Sequence, residues 1–320
     1  MKILVTGATG MVGANIVSEL LKSGGDKVSI LARSKKKAEK LFPKNVNILL
    51  GDITDKESLK IAVSGQDIVY HSAGLPEQWF RDPSLFTKTN VEGTRNVLEA
   101  AKNAKVKRVV YTSTIDVFQG FKDQTYDESV LDPNPKGTYY ERSKQEADRI
   151  AVEYLNEGMD IVFLHPSGVY GLGPISSPGP NGLMKDLILG KVPMLLPGGF
   201  PIVFAKDCAI GHILAAKQGK AGDRFILSES YLSLKDFAVL VNEIKPIPKM
   251  PRVMPLSVAK LFSTIVEGFA WLTGHPPLLP KGQLHFLQWQ AIPSAEKAKK
   301  VLGWKPTDAK EGFRQTIGSF

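Results

Sequence analysis

The chain has 320 residues, 43% of them hydrophobic, and carries 41 Lys and Arg against 32 Asp and Glu for a net charge of +9. That length supports one large α/β domain or a large domain with a smaller one, and its single cysteine, Cys208, excludes an intrachain disulfide and fits a reducing, cytoplasmic setting. The basic clusters Lys35-Lys36-Lys37 and Lys105-Val106-Lys107-Arg108 are short and lack interleaved aromatics, so no nucleic-acid partner is expected; no run of 18 apolar residues predicts a membrane span.

The first strand-like run, 2–6, starts beside the initiator and leaves no room for a signal peptide. Further Val/Ile/Leu runs predict strands at 27–32, 46–50, 67–71, 107–112 and 160–165, the pattern of parallel strands buried on both faces. Helical periodicity falls between them at 11–23, 55–63, 88–104 and 138–157, with Thr54-x-x-Glu57 as a capping box for the second. Strands alternating with helices predict an α/β fold, a doubly wound parallel sheet covered on both sides. From residue 166 Pro and Gly crowd the chain, followed by a helix at 206–218, a strand at 223–228 and helices at 233–243, 256–273 and 294–302. This predicts a Rossmann domain over 1–165 and a smaller mixed substrate domain over 166–320, with a segment near 202–228 returning to the first.

Thr6-Gly7-Ala8-Thr9-Gly10-Met11-Val12-Gly13 joins the first strand to the first helix. Gly7 permits the tight turn, Gly10 a close approach by pyrophosphate, and Gly13 close helix–strand packing, with the anion seated on free N–H groups of the helix N-terminus. Gly7, Thr9, Gly10, Met11, Val12 and Gly13 are therefore candidate dinucleotide ligands. The second strand ends in Ala32-Arg33-Ser34-Lys35, without the acid that binds a ribose 2′-hydroxyl. A guanidinium matches a phosphate, so Arg33, Ser34 and Lys35 are expected to hold a 2′-phosphate, favouring NADP(H) over NAD. Asp52 and Ile53 end the third strand and could meet the adenine. His71-Ser72-Ala73-Gly74 ends the fourth; Ser72, Ala73 and Gly74 would let the cofactor pass, while His71 reads as a packed histidine.

Tyr140 and Lys144 are four residues apart in a helical pattern and share one face. Carbonyl reduction needs a proton delivered to oxygen; a phenol titrates near 10, and a neighbouring ammonium would lower that value. Thr112-Ser113-Thr114 ends the fifth strand, placing a hydroxyl from Ser113 or Thr114 at the carboxyl edge of the sheet.

Together the TGATGMVG loop, GDITD, HSAG, NVEGTRNVLEAA at 90–101, VVYTST at 109–114, YYERSK at 139–144, HPSGVYGLG at 165–173 and the C-terminal FAKDCAIGHILAA and SAEKAKKVLGWKP resemble the extended short-chain dehydrogenase/reductase superfamily. The likeness is to the branch of dihydroflavonol reductase-like and 3β-hydroxysteroid dehydrogenase-like enzymes and hopanoid-associated sugar epimerases. The resemblance implies a catalytic set of Thr114, Tyr140 and Lys144. It implies cofactor contacts from Thr112, Tyr140, Lys144, Pro166 and Ser167, support from Asn90, no metal, and a homodimer through 88–104 and 138–157. Two departures stand out: His165 where many relatives have Arg or Asn, and Phe118 where sugar-nucleotide epimerases have tyrosine.

The expected function is an NADP(H)-dependent oxidoreductase acting on a ketone or aldehyde and its alcohol. The rivals are a nucleotide-sugar epimerase or dehydratase and a redox-sensing Rossmann protein. Segments 74–88, 115–137 and 168–203 are expected to face substrate, with Leu75, Pro76, Trp79, Phe80, Met184, Leu187, Ile188, Met194, Leu195, Leu196 and Phe200 as an apolar lining. The apolar helical face at Leu256, Val258, Leu261, Phe262, Ile265, Phe269 and Leu272 reads as core packing, with membrane contact as the alternative.

Overall fold

The structure, a computed structural model, describes residues 1–174, 179–277 and 279–320. The chain runs through β1 (Lys2–Thr6), α1 (Met11–Ser23), β2 (Lys27–Ala32), α2 (Lys35–Leu41), β3 (Asn47–Leu50), α3 (Lys56–Val63) and β4 (Ile68–His71). One turn of helix, α4 (Ser84–Phe86), continues as a π-helical stretch (Thr87–Glu92) into α5 (Gly93–Asn103), followed by β5 (Arg108–Thr112), β6 (Thr125–Tyr126), α6 (Tyr139–Asn156) and β7 (Ile161–Pro166). Next come β8 (Gly168–Tyr170), α7 (Gly179–Ile188), β9 (Met194–Leu195), β10 (Gly199–Phe204), α8 (Ala205–Gln218), β11 (Arg224–Leu227), β12 (Ser230–Ser233) and α9 (Leu234–Ile244). The chain ends with β13 (Arg252–Val253), α10 (Leu256–Thr273), α11 (Lys281–Trp289), β14 (Ile292–Pro293), α12 (Glu296–Leu302) and α13 (Ala309–Ile317).

Seven strands form one parallel sheet in the order β11-β7-β5-β4-β1-β2-β3. Alternate residues of its strands serve two cores. Ile3, Val5, Val28 and Ile30 pack with α1, α8 and α12, while Leu4, Leu31, Val69 and Val109 pack with α3, α5 and α6. This is the doubly wound Rossmann arrangement, whose ligand crevice lies beyond the strand carboxyl ends, where the order reverses between β1 and β4. A third core, from Tyr170, Met184, Phe204, Phe237 and Phe313 among others, holds the smaller part together around the sheet β12-β10-β8. β11 lies beyond residue 200 in sequence yet pairs with β7, as the seventh strand of the large sheet.

Three local readings need correction. The cap of α3 is Asp55, whose side chain accepts from the Glu57 amide, because the Thr54 hydroxyl and amide both donate to Asp52 at 2.9 Å. The expected helix at 88–104 opens with the π stretch Thr87–Glu92 before regular helix begins at Gly93. Finally, α10 does not bury its large apolar face. Among its described side chains Ala259, Ser263 and Ala270 are buried, while Val258, Leu261, Phe262, Ile265, Phe269 and Leu272 are exposed. Small side chains allow α10 to lie close on α11, which turns the bulky ones outward.

Candidate active site

The turn after β1 is fixed by contacts that only glycine allows. Gly7 has φ +71°, and a Cβ there would stand 2.5 Å from the Ala73 amide nitrogen. A Cβ on Gly13 would stand 2.4 Å from the Gly7 carbonyl oxygen, so the first turn of α1 is pressed against the loop. No side chain caps α1 at Gly10, which leaves its leading N–H groups to face an anion. A cavity of about 350 Å³ runs from this turn across the strand ends, lined by Gly7, Gly10, Met11, Val12, Gly13, Ser72, Ala73, Gly74, Thr112, Thr114, Tyr140, Lys144, Pro166 and Ser167. An uncapped helix end, a cradle that side chains would fill and a continuous cavity fit a dinucleotide.

At the far end of the cavity, α6 begins with a capping box. The Thr138 hydroxyl accepts from the Glu141 amide at 3.1 Å while Glu141 accepts from the Thr138 amide at 2.8 Å. This sets the first turn of α6, so that Tyr140 and Lys144 both line the cavity. Lys144 donates to the Thr112 carbonyl at 2.9 Å and lies 5.2 Å from the Tyr111 ring centroid. Burial pushes its pKa down to about 8, against the pull of Asp148 and Asp116. The Tyr140 phenol is pushed well above 10, chiefly by burial and then by Asp116, with Glu77 and Glu141 adding; contact with the Thr114 side chain opposes the shift. The expected lowering by Lys144 does not prevail: burial is the largest cause, Asp116, Glu77 and Glu141 add to it, and Lys144 is turned to the Thr112 carbonyl.

The structure distinguishes the two hydroxyls of the fifth strand. Ser113 donates to Asp148 at 2.7 Å, and Asp148 is bound to Arg224 at 2.7 Å; burial disfavours its charge, but Arg224 and the Ser113 bond hold its carboxyl below the ordinary value. Thr114 stands by the phenol and donates to Asp116 at 2.5 Å. Its carbonyl is held at 3.0 Å by His165 Nδ1, while Arg224 donates to His165 Nε2 at 3.2 Å. Burial and Arg224 push His165 down to about 3, so it is neutral, and Arg224 on Nε2 leaves Nδ1 to carry the proton. His165, the residue that departs from many relatives, therefore pins the strand end that carries Thr114. His71 is likewise neutral, buried between Thr6 at 2.8 Å and Thr94 at 3.1 Å.

Several of the expected ligands have partners of their own or are not on the wall of this cavity. Asn90 is fully engaged: its Oδ1 accepts from the Leu75 amide at 2.7 Å, and its Nδ2 donates to the Leu75 carbonyl at 3.2 Å and to Ser143 at 2.9 Å. It ties the loop after β4 to α6, and the π stretch turns it inward to do so. Asp52 accepts both Thr54 bonds on Oδ1, Ile53 is buried where a Cβ on Gly93 would touch it at 2.5 Å, and neither is on the cavity wall. Thr9 is also off its wall. Arg33 is 82% exposed and 3.8 Å from Asp52, Ser34 caps α2 by accepting from the Lys37 amide, and Lys35 is 3.9 Å from Glu39.

Of the expected apolar lining, Leu75 and Pro76 reach the cavity. Met184, Leu187 and Leu195 are buried in the third core, with Ile188, Leu196 and Phe200 packed against it. Phe80 packs on Phe86 at 5.1 Å, Met194 faces outward, and Trp79 is not on the cavity wall. Residues 175–178 of the expected segment 168–203 lie outside the described residues. Sequence reasoning missed Glu77, Asp116 and Phe286 on the wall. Burial raises Glu77 to about 7, aided by Glu141 and opposed by a bond from Thr138; burial and Glu141 raise Asp116 to about 8 against Thr114 and Lys136. Asp116 was within reach of the sequence argument, two residues beyond Thr114; Glu77 and Phe286 carry no local motif.

A model of the NAD dependent epimerase/dehydratase family matches residues 3–227. The chain is 33% identical over 329 residues to the 3 beta-hydroxysteroid dehydrogenase/Delta 5→4-isomerase of Mycobacterium tuberculosis, covering 95% of this chain and 86% of that protein. It is 27% identical over 319 residues to the 4-hydroxy-2-methyl-3-oxo-4-farnesyl-3,4-dihydroquinoline-1-oxide ketoreductase of Stigmatella aurantiaca, covering 95% and 92%. Among solved structures it is similar to the Thermus thermophilus UDP-glucose 4-epimerase in complex with NAD, at TM-score 0.79 and 23% identity over 99% and 98% of the two chains, a likeness of fold. The family match spans every strand of the large sheet and the whole Gly7-to-Lys144 cavity wall, and the chain belongs to the NAD-dependent epimerase/dehydratase family of extended short-chain dehydrogenases/reductases.

Proposed function

We propose that this protein is an NADP(H)-dependent oxidoreductase that interconverts a ketone or aldehyde and an alcohol on a hydrophobic small molecule. One observation carries the reading: Gly7, Gly10 and Gly13 share a single cavity with Thr114, Tyr140 and Lys144. The nicotinamide dinucleotide, when bound, supplies or accepts hydride at the substrate carbon. Gly7 to Gly13, Ser72 to Gly74, Thr112, Lys144, Pro166 and Ser167 would hold it. Arg33, exposed at the end of β2, would take the 2′-phosphate with Ser34 and Lys35 beside it.

The Tyr140 phenol, held above its ordinary pKa, stays protonated at neutral pH and can give its proton to a carbonyl oxygen. Asp116, protonated below about 8, can donate to Thr114, freeing the Thr114 hydroxyl proton for the same oxygen. The lining supports an uncharged substrate: Lys144 is the one Lys or Arg among its described residues, so it offers no cluster of cations to clamp a sugar diphosphate. Phe118, its ring centroid 4.5 Å from that of His165, offers no hydroxyl in place of the epimerase tyrosine.

The test is a panel of lipophilic ketones and nucleotide sugars supplied with NADPH. Net NADPH oxidation with formation of an alcohol is the expected result. Interconversion of a nucleotide sugar without net oxidation would overturn the reading.

A further inference from the structure

Helix α10 presents its bulky side chains to the outside. Leu261 is 65% exposed, Phe269 63% and Leu272 81%, with Val258, Phe262 and Ile265 beside them. At 100° per residue these six positions fall on one side of the helix, so they form a continuous apolar stripe rather than scattered exposure. The segment around the stripe is cationic. Residues 245–285 carry Lys245, Lys249, Arg252, Lys260 and Lys281 against the single acid Glu267, and Glu267 is already 3.7 Å from Lys281. Arg81 adds a further cation, its Nη1 3.3 Å from where a Cβ on Gly274 would stand.

We propose that the outward face of α10 docks peripherally on an anionic lipid surface. An apolar stripe on a segment with this excess of cations complements acyl chains and anionic headgroups. A second copy complements it poorly, since pairing two such faces would bring like charges together. No helix among the described residues is long and apolar enough to cross a membrane, so α10 would lie in the interface.

This placement also concerns the cavity. α10 packs on α11, and Ser263 donates to the Leu279 carbonyl just ahead of α11 at 3.1 Å. α11 contributes Phe286 to the cavity wall and His285, 3.7 Å from Glu141. Docking would set the outer wall of the cavity beside the bilayer, where a hydrophobic substrate dissolves; this last step rests on the proposed reductase reading, whereas docking itself does not.

The experiment is flotation of the full chain with vesicles of phosphatidylcholine alone or mixed equally with phosphatidylglycerol. The protein is expected to float with the anionic vesicles and far less with the neutral ones. Leu261→Glu with Ile265→Glu, both at exposed positions, should lower the bound fraction about tenfold or more, and Lys260→Gln about fivefold. Both variants should keep NADPH affinity and turnover of a water-soluble ketone, which reports the cavity separately from the surface. Failure to float, or equal flotation of the double variant, would overturn the proposal. So would a lipid-free dimer in light scattering that the double variant converts to monomer, because a second copy would then cover the stripe.

Discussion

The two ends of the cavity are built in opposite ways. The end formed by Gly7 to Gly13 is contiguous in sequence, presents backbone, and contains no ionisable side chain. The end around Tyr140 is assembled from the loop after β4, the loop after β5 and the first turn of α6, and it gathers Glu77, Asp116 and Glu141 around one phenol. A backbone site is specified locally and is indifferent to pH, but it has no room for an added carbon. A site of buried carboxyl groups is specified by topology, and each carboxyl shifts the proton affinity of its neighbours.

The comparison breaks first at Gly7. With a Cβ 2.5 Å from the Ala73 amide and a left-handed φ, Gly7→Ala should weaken dinucleotide binding about tenfold to a hundredfold, read by calorimetric titration. An unchanged Kd would mean that the turn is not the binding element. A smaller effect is expected at the open end: Arg33→Ser should raise the Kd for NADPH about tenfold and leave that for NADH in place. Equal losses for both would remove the 2′-phosphate assignment.

The smallest effect sharpens the contrast from the carboxyl end. Burial raises Asp116 to about 8, so between about pH 4 and pH 8 the folded chain holds a proton that the unfolded chain has released. Stability contributed by that proton is present at low pH and is lost as pH rises through the folded pKa. Asp116→Asn mimics the protonated form. It should leave the Tm nearly unchanged at pH 4 and raise it by about 2–4 °C at pH 9 in thermal melts. A gain of equal size at both values would show that Asp116 is not a buried titrating group.

The strands of the large sheet were legible because most are continuous apolar runs buried on both faces, the edge strand β3 being the exception; the glycine loop was legible because steric exclusion writes itself into spacing. Tyr140 and Lys144 were legible from their four-residue spacing on one helix face, whereas the residues alone left Ser113 and Thr114 open and only the family resemblance pointed to Thr114. Asn90 was placed near the site, but its hydrogen bonds to Leu75 and Ser143 depend on a π stretch that 3.6-residue periodicity does not reveal. Asp52 shows the limit of a loop motif: one of its oxygens accepts from its own Thr54, and in sequence a loop aspartate of that kind and one facing a ligand look alike. The apolar residues of 184–200 and those of α10 exchanged expectations: the former make a core, and the latter face out. Hydropathy marks both as apolar, and only the partner across the contact, small-faced α10 on α11, decides which side turns inward.

The most direct measurement of the central claim is the turnover of Tyr140→Phe beside its affinity for NADPH. If Tyr140 delivers the proton at the carboxyl end while residues 7–13 hold the dinucleotide, kcat falls by about 10²–10⁴-fold and the Kd for NADPH stays where it was. Turnover equal to that of the parent protein would contradict the account.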